Sequence, residues 1–560
     1  MNDFPWFKNY PAGIPHEIGA LEFSSLIELF ETACKKHKDQ IAFENLGGKL
    51  TYSEVDRLST NFAAYLQNEL KLKKGDRIAI QMPNLLQFPI AMIGSLKAGL
   101  IVVNTNPLYT PREMEHQFKD AGISAIVIVA NFAHNLEQIK DKIPSAHIIV
   151  TNMGDLLGTL KGAIVNFVVK RIKKLVPDYS LPKAISFKST LAKGANLTLQ
   201  KPSVDVEDVA VLQYTGGTTG VSKGAQLSHR NIIAHNMMIA HWFSPLMTKG
   251  EQQIVITALP LYHIFAFTVN GVLMFHQGLR NVLITNPRDM PGFIKEIKKY
   301  KFSIITGVNT LFNGLINNPD FATCDFSNLK GAVGGGMAVQ DAVAIKWEQI
   351  TKSPLVEGYG LSETSPVLCC NPLTGTHKRG TIGIPMPSTE VAIFDDDGKQ
   401  LAQGETGEIC ARGLQVMRGY WQKDNEAGVF FPGDWFRTGD IGIMDEAGYF
   451  KIVDRKKDMI KVSGFNVFPN EIENILAGHP KVLEVAAIGV PDVKSGEVIK
   501  AFIVKKDQSL TEEELKKFCH ENLTNYKVPK YFEFRLELPK TNVGKILRRT
   551  LKEEEAKKAA

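Results

Sequence analysis

Short, continuous runs of apolar and β-branched residues recur between helix-like stretches through the first four-fifths of this chain. They include RIAIQM from Arg77, AIVIVA from Ala125, VAVLQYT from Val209, IVITALP from Ile254 and SIITGV from Ser303. A strand without polar alternation has no face to offer water, so such runs predict sheets covered on both faces by helices, mostly parallel. The fold class expected is α/β. At 560 residues the chain is also longer than a single core supports, and two domains are expected.

The boundary predicted is DRKKD, Asp454 to Asp458, a charged stretch after the strand-like GYFKIV. Residues 1–455 then form a large N-terminal domain and 454–458 a hinge. Residues 459–560 form a small, mobile α+β domain, with strands at EVAAIGV and KAFIVKK and a helix at LTEEELKKFCHENL. The tail KEEEAKKAA reads as solvated helix or disorder.

Charge and cysteines narrow the classes of function. The net charge of +6 is too small to argue for nucleic acid. From Lys451 onward there are 22 Lys+Arg against 17 Asp+Glu, so +5 of that +6 lies in the last 110 residues. A basic C-terminal module suits an anionic small molecule, and equally a soluble surface. The six cysteines lack CxxC or zinc-type spacing and read as reduced thiols. With an acidic, proline-bearing N-terminus in place of a signal peptide, a cytoplasmic protein is expected. Gln252 to Leu279 is free of Asp, Glu, Lys and Arg. Pro260 and several polar residues interrupt it, so a strand followed by a buried helix of about 15 residues is predicted, too short to span a bilayer.

Tyr214 to Gly224, YTGGTTGVSKG, has the glycines, hydroxyls and lysine of a phosphate-binding loop. It fails the P-loop pattern, because Lys223 follows a serine and precedes a glycine. Read between a strand and a following helix, it would offer backbone N–H groups to phosphates, with Thr215, Thr218 and Thr219 as donors and Lys223 as a point charge. Further along stand GAVGGG ending at Gly336, EGYGLSETSP (Glu357 to Pro366), RTGD (Arg437 to Asp440), DRKKDMIKVSG (Asp454 to Gly464) and PKTNVGKILRR (Pro539 to Arg549).

In order and content these motifs resemble the acyl-adenylate-forming superfamily. The run YTGGTTG, LPLYHIF (Leu259 to Phe265) and WFRTGDIGIMDEAGYFKIVDRKKD (Trp435 to Asp458) resemble bacterial long-chain fatty acid–CoA ligases. The resemblance implies a two-step reaction. A fatty carboxylate attacks the α-phosphate of ATP and expels pyrophosphate, and CoA then takes the acyl group from acyl-AMP. Nucleophile and target are both anionic in the first step, so neutralisation and alignment are the chemistry required.

The same resemblance implies roles for particular residues. Thr215, Gly216, Gly217, Thr218, Thr219, Gly220 and Lys223 would hold the β- and γ-phosphates, with Tyr214 before them also in the nucleotide site. Gly334, Gly335, Glu357, Gly358, Tyr359 and Ser362 would line the base pocket, Tyr359 stacking on adenine. Asp440 would accept the ribose hydroxyls, with Arg455 beside it. Glu363, with Thr215, would hold Mg²⁺, a hard carboxylate for a hard cation. Lys545 would serve adenylation at the α-phosphate. Lys457 is the hinge position. Lys461 and Gly464 lie on a face that turns inward for CoA, with Gly464 lining the thiol channel. His263 would sit at the reacting carboxylate, and Phe267 would gate an acyl tunnel, although both residues suit ordinary core packing.

ATP, a long-chain fatty acid and CoA are thus the expected partners, and the oligomeric state is open, a homodimer included. Acyl transfer to a carrier protein, a membrane fatty-acid carrier that uses ATP to trap lipid, and a luciferase-like oxygenase are alternatives. Finally, Leu156 to Pro177 carries five basic residues and no acidic one. Leu157, Leu160, Ile164, Phe167, Val168, Ile172 and Leu175 share a helical stripe. Two readings stand: a helix packed on its own domain with a basic edge, or one lying reversibly on an anionic membrane surface at the inner face of the cell membrane.

Overall fold

The computed structural model describes residues 4–215, 222–248, 250–423, 428–455, 457–492, 494–541 and 544–559. Among them four sheets are formed. In the first, Leu355–Gly360, Gly331–Gly334, Ile304–Gly307, Ile254–Thr257, Arg280–Leu283 and Ile41–Asn45 run parallel in that spatial order, with antiparallel strands at both edges. In the second, Ile185–Ser186, His147–Thr151, Ala125–Val129, Arg77–Gln81, Ile101–Asn104 and Val209–Thr215 are parallel. All five apolar runs singled out in the sequence are central strands of these two sheets. Gln87–Lys97, buried along its whole length, is apolar on most faces because it has no solvent side.

One local expectation is corrected here. The segment after the glycine-rich loop is a strand, Lys223–Ser228, paired antiparallel to Val209–Thr215 with Thr215 opposite Lys223. The helix begins only at His229, capped by Ser228. Gly-Ala-Gln-Leu-Ser is too short for a helix before that cap, and pairing satisfies its backbone groups. Among the described residues the first helix after this loop is therefore the one that begins at His229.

A third, antiparallel sheet contains Trp435–Met444 and Phe450–Arg455. The fourth, built from Ile460–Val462, Phe465–Val467, Val482–Asp492, Gly496–Lys505 and Tyr531–Arg535, has its own core around Val485, Ile499, Ile503 and Leu515. The fold is thus a large α/β N-terminal domain followed by a small α+β C-terminal one. The tail is a helix, Arg548–Ala559, tied to this sheet by Lys500–Glu555 (2.7 Å) and Arg535–Glu554 (2.6 Å). The charge-free stretch divides into the strand Ile254–Thr257 and a π-helical segment, Ala266–Met274. Among the described residues no helix is long and apolar enough to cross a membrane, and all six cysteines are buried free thiols.

Candidate active site

A cavity of 2150 Å³ lies between the large domain and the C-terminal one and is lined by both. Strand register builds its polar floor. Pairing of Trp435–Met444 with Phe450–Arg455 sets Arg455 directly across from Asp440, and Arg455 Nε stands 3.0 Å from Asp440 Oδ1. From the neighbouring sheet Tyr359 donates its hydroxyl to Asp440 Oδ2 at 2.7 Å. Burial, and then the Asp440 charge, raise the Tyr359 phenol well above its usual range, so it stays a donor. Glu357, in the strand with Tyr359, accepts from Val339 N at 3.1 Å; burial pushes its carboxyl up to about 8. Gly335, Gly358 and Ser362 line the same cavity, and Gly334 ends the adjacent strand.

The C-terminal domain contributes Lys545 on a tight loop closed by Thr541 N–H to Lys545 O at 2.7 Å and Lys545 N–H to Thr541 Oγ1 at 3.0 Å. This loop docks on the large domain: Thr310 donates its hydroxyl to Gly544 O at 2.8 Å, and Arg288 Nη2 donates to Thr541 O at 3.2 Å. Gly544 has φ +86°, and a Cβ there would lie 2.6 Å from Thr310 Oγ1, so only glycine allows this contact. Burial and the nearby Arg455 guanidinium lower the Lys545 amine to about 7. His263, from the large domain, is lowered to about 4 by burial and then by Lys545. Both side chains line the cavity, and burial disfavours the protonated form of each.

Glu363 is buried in the turn Ser362–Thr364. Tyr420 donates its phenol to Oε1 at 2.8 Å. Lys223 Nζ sits 5.3 Å from the centre of the Tyr420 ring, and Trp421 N–H donates to Gly224 O at 2.7 Å. Tyr420 thus joins the loop-flanking strand to the acidic turn, a role that sequence reading missed because RGYW resembles any surface turn. Thr215 and Lys223 line the cavity with Glu363, while Tyr214 turns its hydroxyl to Asp120 at 2.5 Å. Gly216, Gly217, Thr218, Thr219 and Gly220 lie outside the described residues. Among the described residues no cluster of three or more His, Cys, Asp or Glu is present. A divalent cation at Glu363 and Thr215 would take its remaining oxygens from a bound phosphate or water.

Lys457 borders the cleft. Lys461 and Gly464 are solvent-exposed on the strand pair Ile460–Val462 and Phe465–Val467 and do not line the cavity. Phe267 is fully buried and absent from the cavity wall. As the second residue of the π-helical segment, it is turned into the core, whereas Phe265 and Val269 reach the cavity with Ile239, Trp242 and Phe243.

Residues 30–421 match the model of the AMP-binding enzyme family, and residues 471–545 match that of the AMP-binding enzyme C-terminal domain. The chain belongs to the AMP-binding enzyme family. This family member is 55% identical to the long-chain-fatty-acid–CoA ligase of Escherichia coli O157:H7, over 98% of either chain. It is 56% identical to that of Yersinia pestis, over 99% of this chain and 98% of the relative. Among solved structures, the anthranilate CoA ligase AuaEII in complex with anthranoyl-AMP shares the fold. Its TM-score is 0.83 at 24% identity, covering 96% of this chain and 98% of that one. In this AMP-binding enzyme Tyr214, Thr215, Lys223, His263, Gly335, Glu357, Tyr359, Glu363, Asp440, Arg455 and Lys545 all line one cleft.

Proposed function

We infer that this AMP-binding enzyme is an AMP-forming long-chain fatty acid–CoA ligase. One observation carries the mechanism: Lys545, from the C-terminal domain, shares a cavity with Asp440, Glu363 and His263 and with an apolar wall of Ile239, Trp242, Phe265 and Val269. Asp440 accepts the ribose hydroxyls, oriented by Tyr359 and Arg455. Thr215 and Lys223 hold the β- and γ-phosphates. A fatty carboxylate oxygen bonds to the α-phosphorus while the bond to pyrophosphate breaks, and Lys545 supplies positive charge beside both anions. Burial and Arg455 lower its proton affinity, and phosphate and carboxylate anions beside it would restore the charge where it acts. Mg²⁺ held at Glu363 and Thr215 would offset phosphate charge. The apolar wall binds the alkyl chain, each buried CH₂ contributing about 0.8 kcal/mol.

For thioester formation the CoA sulfur bonds to the acyl carbon, AMP leaves and the thiol proton goes to solvent. Lys461 and Gly464 lie outside the cleft here, so we assign them to this second step, reached by rotation of residues 459–560 about Lys457. The enzyme would work in the cytoplasm, in reversible contact with the inner face of the cell membrane.

The test supplies fatty acid, ATP, Mg²⁺ and CoA and measures AMP and acyl-CoA by mass spectrometry. Lys545→Ala should abolish pyrophosphate exchange yet form thioester from supplied acyl-AMP, and Lys461→Ala should do the reverse. Equal loss of both steps in both variants would overturn the two-arrangement reading.

A further inference from the structure

Five of the fourteen exposed large apolar side chains among the described residues fall within sixteen positions: Leu160 (76% exposed), Ile164, Phe167, Ile172 and Leu175. They belong to the helix Thr159–Phe167, its π-helical continuation Val168–Ile172 and the turn after it. An accidental scatter would spread them over the surface.

The inner face of this helix is fixed. Gly162 is its one buried residue, and its backbone lies so close to Gly154 that a Cβ on Gly162 would come within 2.4 Å of Gly154 O. Asn166 accepts from Gly154 N at 2.7 Å and donates to Asp155 at 3.2 Å. Asn131 donates to Leu175 O at 2.9 Å, holding the far end. Leu157, expected on the outer stripe, precedes the helix and is buried. The helix is thus seated on its domain by Gly162, Asn166 and the half-buried Val165, while its larger apolar residues Leu160, Ile164 and Phe167 point away, the inverse of ordinary packing.

The π turn preserves that face. Lys173 N–H bonds to Val168 O at 2.8 Å, an i to i+5 step. A continuous α-helix would carry Ile172 about 140° from Phe167 at 100° per residue; the wider turn returns it toward the stripe of Leu160, Ile164 and Phe167. Lys161, Lys170, Arg171, Lys173 and Lys174 are all exposed around this stripe, and residues 156–177 contain no Asp or Glu. Lys161 also reaches the turn at Gly47, beside Leu46, which is itself exposed.

We propose that this face is a membrane-docking surface, with the apolar stripe inserted among the acyl chains and the five cations at the anionic headgroups. A rigidly seated amphipathic helix with cations beside its apolar face meets the physical requirements for lying in a bilayer interface. Charge complementarity selects an anionic lipid surface over a neutral apolar partner. The purpose, delivery of a bilayer-dissolved acid, rests on the fatty acid–CoA ligase reading; the geometry does not.

The test is co-sedimentation of the full-length protein with vesicles of phosphatidylethanolamine and phosphatidylglycerol, or of phosphatidylcholine alone. Binding to the anionic vesicles is expected, weakened by salt. It should fall about tenfold or more in the quadruple variant Lys170→Gln, Arg171→Gln, Lys173→Gln, Lys174→Gln, and likewise in Phe167→Ser with Ile172→Ser. CoA ligation of a water-soluble, medium-chain acid should be unchanged in both variants, which also reports that they fold. Wild-type protein left in the supernatant with both vesicles, or bound equally by both and indifferent to the charge variant, overturns the proposal. So does a dimer by light scattering that the Phe167→Ser variant abolishes, since the face would then meet a second copy. Ligation failing while vesicle binding persists would count against the enzymatic reading alone.

Discussion

Arg548 Nη1 stands 3.1 Å from Asp454 Oδ1, joining the last strand before the hinge to the helix that follows the Lys545 loop. The same guanidinium forks onto Glu473, Nε to Oε1 at 2.8 Å and Nη2 to Oε2 at 2.6 Å. Asp454 is fully buried, and burial raises the Glu473 carboxyl despite Arg548. One cation thus bridges two enclosed carboxyl groups from different elements. Arg548→Met should leave them facing each other and destabilise the C-terminal domain by about 3–5 kcal/mol. Arg548→Lys should recover little, lacking the fork. Hydrogen exchange across Pro469–Ala477 measures this; unchanged protection in the Met variant would refute the clamp.

The lowered Lys545 amine makes docking of the two domains pH-dependent. With the docked value about 7 and the free value near 10.4, the docked state binds fewer protons between these limits. Docking is therefore weakest below pH 7 and strengthens as the pH rises toward 10. Fluorescence transfer between labels on the two domains should increase from pH 6 to pH 8.5 without nucleotide, and Lys545→Met should flatten that change. ATP should also flatten it, by supplying counter-charge. A flat wild-type profile without ligand would contradict the assignment.

Tyr420 orients the Glu363 carboxylate through a 2.8 Å hydrogen bond. Outer partners of this kind typically govern 10–100-fold in metal affinity. Tyr420→Phe should raise the Mg²⁺ concentration needed for half-maximal pyrophosphate release by about tenfold, and Glu363→Gln should raise it further. A Mg²⁺ titration unaltered in Tyr420→Phe would detach Tyr420 from the metal site proposed at Glu363.

Phe267 is enclosed in the core, so Phe267→Ala should cost about 3–5 kcal/mol of stability and leave the ratio of activities between chain lengths unchanged. Val269 lines the cavity. Val269→Phe should instead shift preference to shorter acids with little loss of stability. Denaturant melts run beside a chain-length series separate the two effects; a changed ratio in Phe267→Ala would instead support Phe267 as a gate.

Much of this protein was determined by sequence alone. Runs such as Ala125–Val129 and Val209–Thr215 allow no solvent face, so a helix-covered parallel sheet follows from local composition. Asp440 and Arg455 were legible as candidate site residues because each belongs to a contiguous motif, and both line the cavity. The tertiary structure decided what local pattern does not carry. Whether Lys223 opens a helix or a strand depended on a pairing partner. Tyr420 and Glu363 meet across 57 positions, and Thr310 meets Gly544 across 234, through packing of separate elements. Phe267 and Val269 are two residues apart, yet one faces the core and the other the cavity, and Ile172 rejoins its stripe only through a π turn. The sequence names a side chain, but its direction is set by backbone phase and by the neighbours that long-range packing brings to it.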